Sequence, residues 1–118
     1  MKIIDSLKLN LPFSYIWLLK TSIGNPSTII DLGCGDGTLM ELLARKKKWQ
    51  ITGIDIYKKS IETARKRNIY YKLIQGDLLK ILRKNILKPK YDVVFFSQVI
   101  EHLTKDQGNK ILDKIENL

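Results

Sequence analysis

The segment Asp31-Leu32-Gly33-Cys34-Gly35-Asp36-Gly37 is where residue types and spacing point to chemistry. Three glycines alternate behind an acid, between a β-branched run and a helical apolar pattern. A tight turn needs one or two glycines. Three let the main chain pass close to a ligand and take positive φ. A dinucleotide fingerprint requires G-x-G-x-x-G, but the sixth position is Thr38. A phosphate loop requires Gly-Lys-Ser/Thr, and none follows. Asp31 argues the same way, because a carboxylate repels a pyrophosphate and attracts a cation. The segment suits a cationic, phosphate-free ligand that lies against bare backbone.

The flanking elements must place that loop at a crevice. Thr28–Leu32 predicts a buried strand, and Gly37–Lys47 a helix with Leu39, Met40, Leu42 and Leu43 inward. Gln50–Ile54, Tyr70–Ile74 and Tyr91–Ser97 predict further strands. Lys58–Arg67, Leu78–Asn85 and Lys105 onward predict helices. Residues 1–27 read as a helical preface, from the spacing of Ile16, Leu19 and Ile23, closed by the breaker Gly24-Asn25-Pro26-Ser27. From residue 28 to 118, strands and helices alternate. That predicts an α/β domain, a doubly wound parallel sheet with helices on both faces. In such a sheet the first strand-to-helix turn faces the ligand crevice.

The 118 residues make one domain or part of one. A single cysteine, Cys34, excludes an internal disulfide and fits a reducing, cytoplasmic setting. Asp5, Lys8 and Pro12 interrupt any secretory core, and the apolar run Tyr15–Leu19 is too short for a membrane span. The net charge of +9 has two readings. Lysines decorate helix ends, where cations favour the dipole, or they meet an acidic partner such as nucleic acid or anionic membrane. Aromatic residues do not cluster beside the basic runs in the sequence, as a stacking platform requires.

"DLGCGDGTL" resembles motif I of class I S-adenosylmethionine-dependent methyltransferases. "GIDI", "QGDLL" and "YDVVFFSQVIEHL" follow in the order of that family's later landmarks, the last being similar to motif IV. The resemblance implies a Rossmann-like sheet in strand order 3-2-1-4 and S-adenosylmethionine as cofactor. It places the cofactor's amino-acid end against Gly33, Cys34 and Gly35, with Asp31 orienting it through its ammonium and water. Asp55 would accept from both ribose hydroxyls, and Ile56 would pack on the adenine. Asp77 would accept from the adenine amino group, with Leu78 lending its amide. Ser97 and Gln98 would line the crevice near the methyl group. Structural readings stand beside these. Asp31 can be a helix N-terminus acid, and Asp55 a solvated turn residue. Asp77 can N-cap its helix while also serving the cofactor, and Cys34 reads as a small packed residue rather than a nucleophile.

The implied reaction is in-line displacement at a sulfonium, which rests mainly on holding the acceptor in place. A base is needed only where the acceptor loses a proton early, and Glu101 and His102 are the catalytic candidates. "QVIEH" is similar to the E-x-x-E-H of ubiquinone-pathway and small-RNA O-methyltransferases, which bind a divalent ion there. Gln98 replaces the first acid and is a poorer ligand for a hard cation, so no metal is expected. The bland reading is that Glu101 and His102 only begin a helix. The methyl acceptor is unknown, a small molecule or RNA. The family's sheet runs 3-2-1-4-5-7-6, and this chain supplies strands one to four, leaving strand four as an open edge. Three explanations stand: a fragment, a short protein whose edge a homodimer or partner protein covers, or a cofactor- or partner-binding module without turnover.

Overall fold

Apolar β-branched runs become strands and amphipathic runs become helices in the computed structural model, which describes residues 2–5, 21–25, 27–84, 91–96 and 104–115. In chain order the elements are β1 (Lys2–Asp5), β2 (Ser27–Leu32), α1 (Thr38–Ala44), β3 (Trp49–Asp55), α2 (Lys58–Lys66), β4 (Lys72–Gln75), α3 (Leu78–Arg83), β5 (Val93–Phe96) and α4 (Lys105–Ile115). The described pairings are all parallel, in the order β1-β5-β2-β3-β4. Within it, β4-β3-β2-β5 is the expected 3-2-1-4 arrangement.

Period-two alternation splits the sheet residues between two cores. Ile30, Leu32, Ile54, Val94 and Phe96 pack on Ile81 and Leu82 of α3 and Ile111 and Ile115 of α4. Ile29, Ile51, Val93 and Phe95 face the other way, onto Met40 and Leu43 of α1. All four residues of β5 are buried, as a parallel strand covered on both faces should be. Phe95 and Phe96 thus anchor opposite faces, each worth about 1.5–3 kcal/mol of burial. The register places Asp31 beside Gly53 on one side and Phe95 on the other, so these three share the α1 face.

Five expectations need correction. The stretch 1–27 is not helical throughout: Lys2–Asp5 forms β1, while Thr21 and Ser22 are helical. Four residues are too few to show a period, and long-range pairing with β5 decides their state. That pairing matches Lys2 with Val93 through Asp5 with Phe96. β5 is therefore no open edge, and the backbone groups expected to need a homodimer or partner protein are met by the chain's own β1. Leu42 is 40% exposed rather than inward. The helix also stops at Ala44, because Arg45 turns extended and Lys46 takes φ +62°. Tyr70 lies in the loop before β4 rather than in the strand, and the Tyr71 N–H donates to the Ile51 carbonyl at 2.8 Å. Among the described residues no helix is long and apolar enough to cross a membrane.

Gly53 leaves the space that Tyr70 fills. A Cβ there would lie 2.7 Å from Tyr70 Cε1 and 2.9 Å from Leu73 Cδ2. Gly53→Ala is expected to cost about 1–3 kcal/mol by overpacking. Gly108→Ala, in α4 with nothing within 4 Å of the added methyl, should add about 0.5–1 kcal/mol through helix propensity. Urea unfolding midpoints of the two variants check this, and shifts of the same sign would contradict it.

Candidate functional site

The loop leaving β2 folds back onto the end of β3. The N–H groups of Gly33 and Cys34 both donate to the Ile54 carbonyl, at 2.8 and 2.9 Å. Gly33, Gly35 and Gly37 take φ of +71°, +58° and +83°, a left-handed path that L side chains resist. The Gly35 N–H donates to Asp55 Oδ2 at 2.8 Å, and the Tyr57 N–H donates to Asp55 Oδ1 at 2.9 Å. Asp55 is thus held by one donor on each oxygen. A Cβ on Gly35 would meet nothing within 4 Å, so open space lies in front of that bare backbone.

Next to it, β4 turns into α3. The Gly76 N–H donates to the Asp55 carbonyl at 2.9 Å, and the Gln75 side-chain amide donates to the Ile56 carbonyl at 3.2 Å. Asp77 is the N-cap of α3, its Oδ1 accepting from the Lys80 N–H at 3.2 Å. Ile56 is 53% exposed and Tyr57 70%. Asp55, Ile56, Asp77 and Leu78 therefore meet at the carboxyl ends of β3 and β4, beside the loop Gly33–Gly35. Ser97, Gln98, Glu101 and His102 lie outside the described residues.

Asp31 stands apart from the open space. It is 2% exposed, and its Oδ2 accepts from the Tyr70 hydroxyl at 2.9 Å. The Tyr70 ring crosses Gly53 and reaches Gly37, where a Cβ would lie 3.0 Å from Tyr70 Cε2. Burial, and then the Asp31 charge, push the Tyr70 phenol up, so it stays protonated and donates. Burial likewise pushes the Cys34 thiol far up, with the Asp31 and Asp55 charges adding to it. Cys34 is a buried, packed thiol, as its sequence context suggested, in surroundings that disfavour the thiolate.

Arg67 closes the far side of the loop. Its Nε–H donates to the Asp36 carbonyl at 2.7 Å, and its Nη2–H to Thr38 Oγ1 at 2.9 Å. Its Nη1 pairs with the Glu41 carboxylate. Thr38 donates its hydroxyl to Asp36 Oδ1 at 2.6 Å and its N–H at 3.0 Å, which holds the Asp36 carboxyl below the usual range, chiefly through the hydroxyl. Sequence reasoning missed Tyr70, Gly53 and Arg67 as parts of this site. Gly53 carried a signal, since a glycine inside a strand marks close approach. Nothing local named Tyr70 as what approaches.

A family model described as a methyltransferase domain matches residues 29–118. No curated protein matches. Among solved structures, the chain is similar to a TehB-like SAM-dependent methyltransferase from Corynebacterium glutamicum, with 22% identity and TM-score 0.69 over 85% of this chain and 53% of that one. It is also similar to magnesium protoporphyrin IX methyltransferase from Synechocystis with bound SAM, with 24% identity and TM-score 0.68 over 89% and 51%. A third is a SAM-dependent methyltransferase from Thiobacillus denitrificans in complex with S-adenosylhomocysteine, with 20% identity and TM-score 0.64 over 88% and 44%. At these identities the likeness is one of fold. The chain spans about half the length of the solved structures it matches.

Tyr70→Phe keeps the ring over Gly53 and removes only the hydroxyl from a carboxylate with almost no access to water. The expected loss is about 1–3 kcal/mol, read as a lower urea midpoint at an unchanged slope. A midpoint equal to that of the unsubstituted chain would mean that the Asp31 contact adds nothing.

Proposed function

The chain belongs to the methyltransferase domain family, and from that premise we propose that it binds S-adenosylmethionine at the carboxyl ends of β2, β3 and β4. The reaction it serves is methyl transfer to a small-molecule or RNA acceptor. Asp55 carries the reading. Its two oxygens are each fixed by one backbone donor and each keeps a free lone pair, an arrangement suited to two neighbouring ribose hydroxyls. The Synechocystis and Thiobacillus proteins were solved with SAM and S-adenosylhomocysteine bound, which supports the same ligand class here.

The rest of the donor set fits that ligand. The space in front of Gly35 takes an amino-acid chain lying along Gly33, Cys34 and Gly35. Asp31 sits beneath this loop as a buried acid whose charge favours the ligand's cationic end. The exposed side chain of Ile56 offers an apolar wall to the adenine. Asp77 accepts from the adenine amino group beside its capping bond, and the first-turn N–H of Leu78, without an intrahelical partner, donates to a ring nitrogen. When bound, S-adenosylmethionine supplies a methyl group already activated on a sulfonium. Ser97 and Gln98 would then line the methyl end. Glu101 and His102 would receive the acceptor's proton where the acceptor is a hydroxyl. The lone cysteine supports a reducing, cytoplasmic setting.

Calorimetric titration with S-adenosylhomocysteine tests the reading, beside Asp55→Ala and the isosteric Asp55→Asn. Micromolar binding is expected, weakened at least about tenfold in both variants, since a hydrogen bond to a charged group contributes about 1.5–3 kcal/mol. A folded chain that gives no heat, or variants that bind as well as the original, would overturn it. Production of S-adenosylhomocysteine from a candidate acceptor then separates a transferase from a cofactor-binding module without turnover.

A further inference from the structure

A second pocket, of about 390 Å³, opens between the carboxyl end of α2 and the start of β4. Its walls are Arg65, Asn68, Tyr70, Tyr71, Lys72 and Leu73. The volume falls at the lower end of the range for small-molecule sites. Lys72 pairs with Thr52, three residues before the Gln75–Asp55 pair at the opposite end of the strand. At roughly 3.3 Å per residue the pocket lies about 10 Å from the cofactor crevice.

Its chemistry is distinctive for what it leaves uncovered. Tyr71 is 71% exposed. Among the described residues no carboxylate lines the pocket, and neither Arg65 nor Lys72 has an acidic partner. Arg67, two residues from Arg65, is by contrast fully engaged with Asp36, Thr38 and Glu41. Asn68 turns the chain at φ +56° and brings Arg65 and Tyr71, six positions apart in sequence, to one pocket. This qualifies the expectation that aromatics do not cluster beside the basic runs, since Tyr70 and Tyr71 follow Arg65–Arg67 closely and share the pocket with Arg65. An exposed flat ring sharing a pocket with two uncompensated cations and an amide matches a ligand that is itself a flat ring carrying an anion.

We propose that this pocket is a nucleotide subsite, with a base stacked on Tyr71 and its phosphate on Arg65 and Lys72. The nucleotide is either free or one unit of a single strand, since the recognising chemistry is shared. The proposal does not rest on the cofactor reading: Tyr70 stands between the two sites, its hydroxyl on Asp31, but the groups that would hold the nucleotide, Arg65, Tyr71 and Lys72, take no part in the cofactor crevice.

The test titrates the full chain, saturated with S-adenosylhomocysteine, with uridine 5′-monophosphate, hexauridylate RNA and inorganic phosphate, following the backbone amide signals of Asn68 to Leu73. Both nucleotide ligands should shift those signals. Tyr71→Ala should weaken binding about tenfold, in line with base stacking on an aromatic side chain. For hexauridylate, replacing Arg65 and Lys72 by glutamine should lower the slope of log affinity against log salt by about 0.7 per cation. Hexauridylate binding more than about tenfold tighter than the mononucleotide supports the subsite on a strand, and equal affinity supports it on a free nucleotide. Phosphate binding as tightly as the mononucleotide would overturn the proposal. So would unmoved Asn68 to Leu73 signals, or a Tyr71→Ala chain of unchanged nucleotide affinity. S-adenosylhomocysteine titrated alone reads the other site, so a failure of one reading is distinguishable from a failure of the other.

Discussion

Tyr70 lies across Gly53 with its hydroxyl on the buried Asp31 carboxylate, 2.9 Å away, and the shape of the carboxyl end of the sheet follows from the room that ring takes. A carboxylate with 2% exposure requires hydrogen-bonding partners, because an unpaired buried charge is very costly. The register sets Gly53 beside Asp31, and only a residue without a side chain there lets the ring reach across. The same ring touches Gly37. The alternating glycines therefore serve two sides of the loop. Gly35 has open space in front of it, while Gly37 yields to the protein's own tyrosine.

The loop so placed is tied at three further points. Ile54 accepts from two of its amides, Asp55 from a third, and Arg67 grips Asp36, Thr38 and Glu41 on the outer side. An isolated exposed ion pair contributes little. A guanidinium fork that satisfies several acceptors at once has more geometric consequence, here fixing the end of α2 against the start of α1. A loop held this way keeps the open backbone at Gly35 in one conformation, which would lower the ordering cost of binding the ligand proposed there.

Much of this was legible in the sequence because it is local. Strand runs such as "STIIDL" and "VVFF", the glycine alternation, and Asp77 ahead of "LLKILR" each declare themselves within a few residues. The parallel sense of four strands followed from their alternation with helices, and their order from the family resemblance. The contacts that were not legible are long-range. Tyr70 and Asp31 are separated by 39 positions, and Arg67 and Asp36 by 31, so no periodicity links them. β1 was hidden for the same reason, since four residues take their state from the strand they join. Leu42 misled because an apolar residue adjacent to an inward leucine lies about 100° around the helix. The members of the pocket at Tyr71 lie together in the sequence, from Arg65 to Leu73, but their concave arrangement comes from the turn at Asn68 that joins α2 to β4.

The most direct measurement is a crystal structure of the chain with S-adenosylhomocysteine. The account predicts the two ribose hydroxyls on the Asp55 carboxylate and the amino-acid chain in front of Gly35. It also predicts the Tyr70 hydroxyl still on Asp31, because the loop is already in its binding shape. A ligand bound elsewhere, or a Tyr70 ring displaced from Gly53 to admit it, would contradict the account.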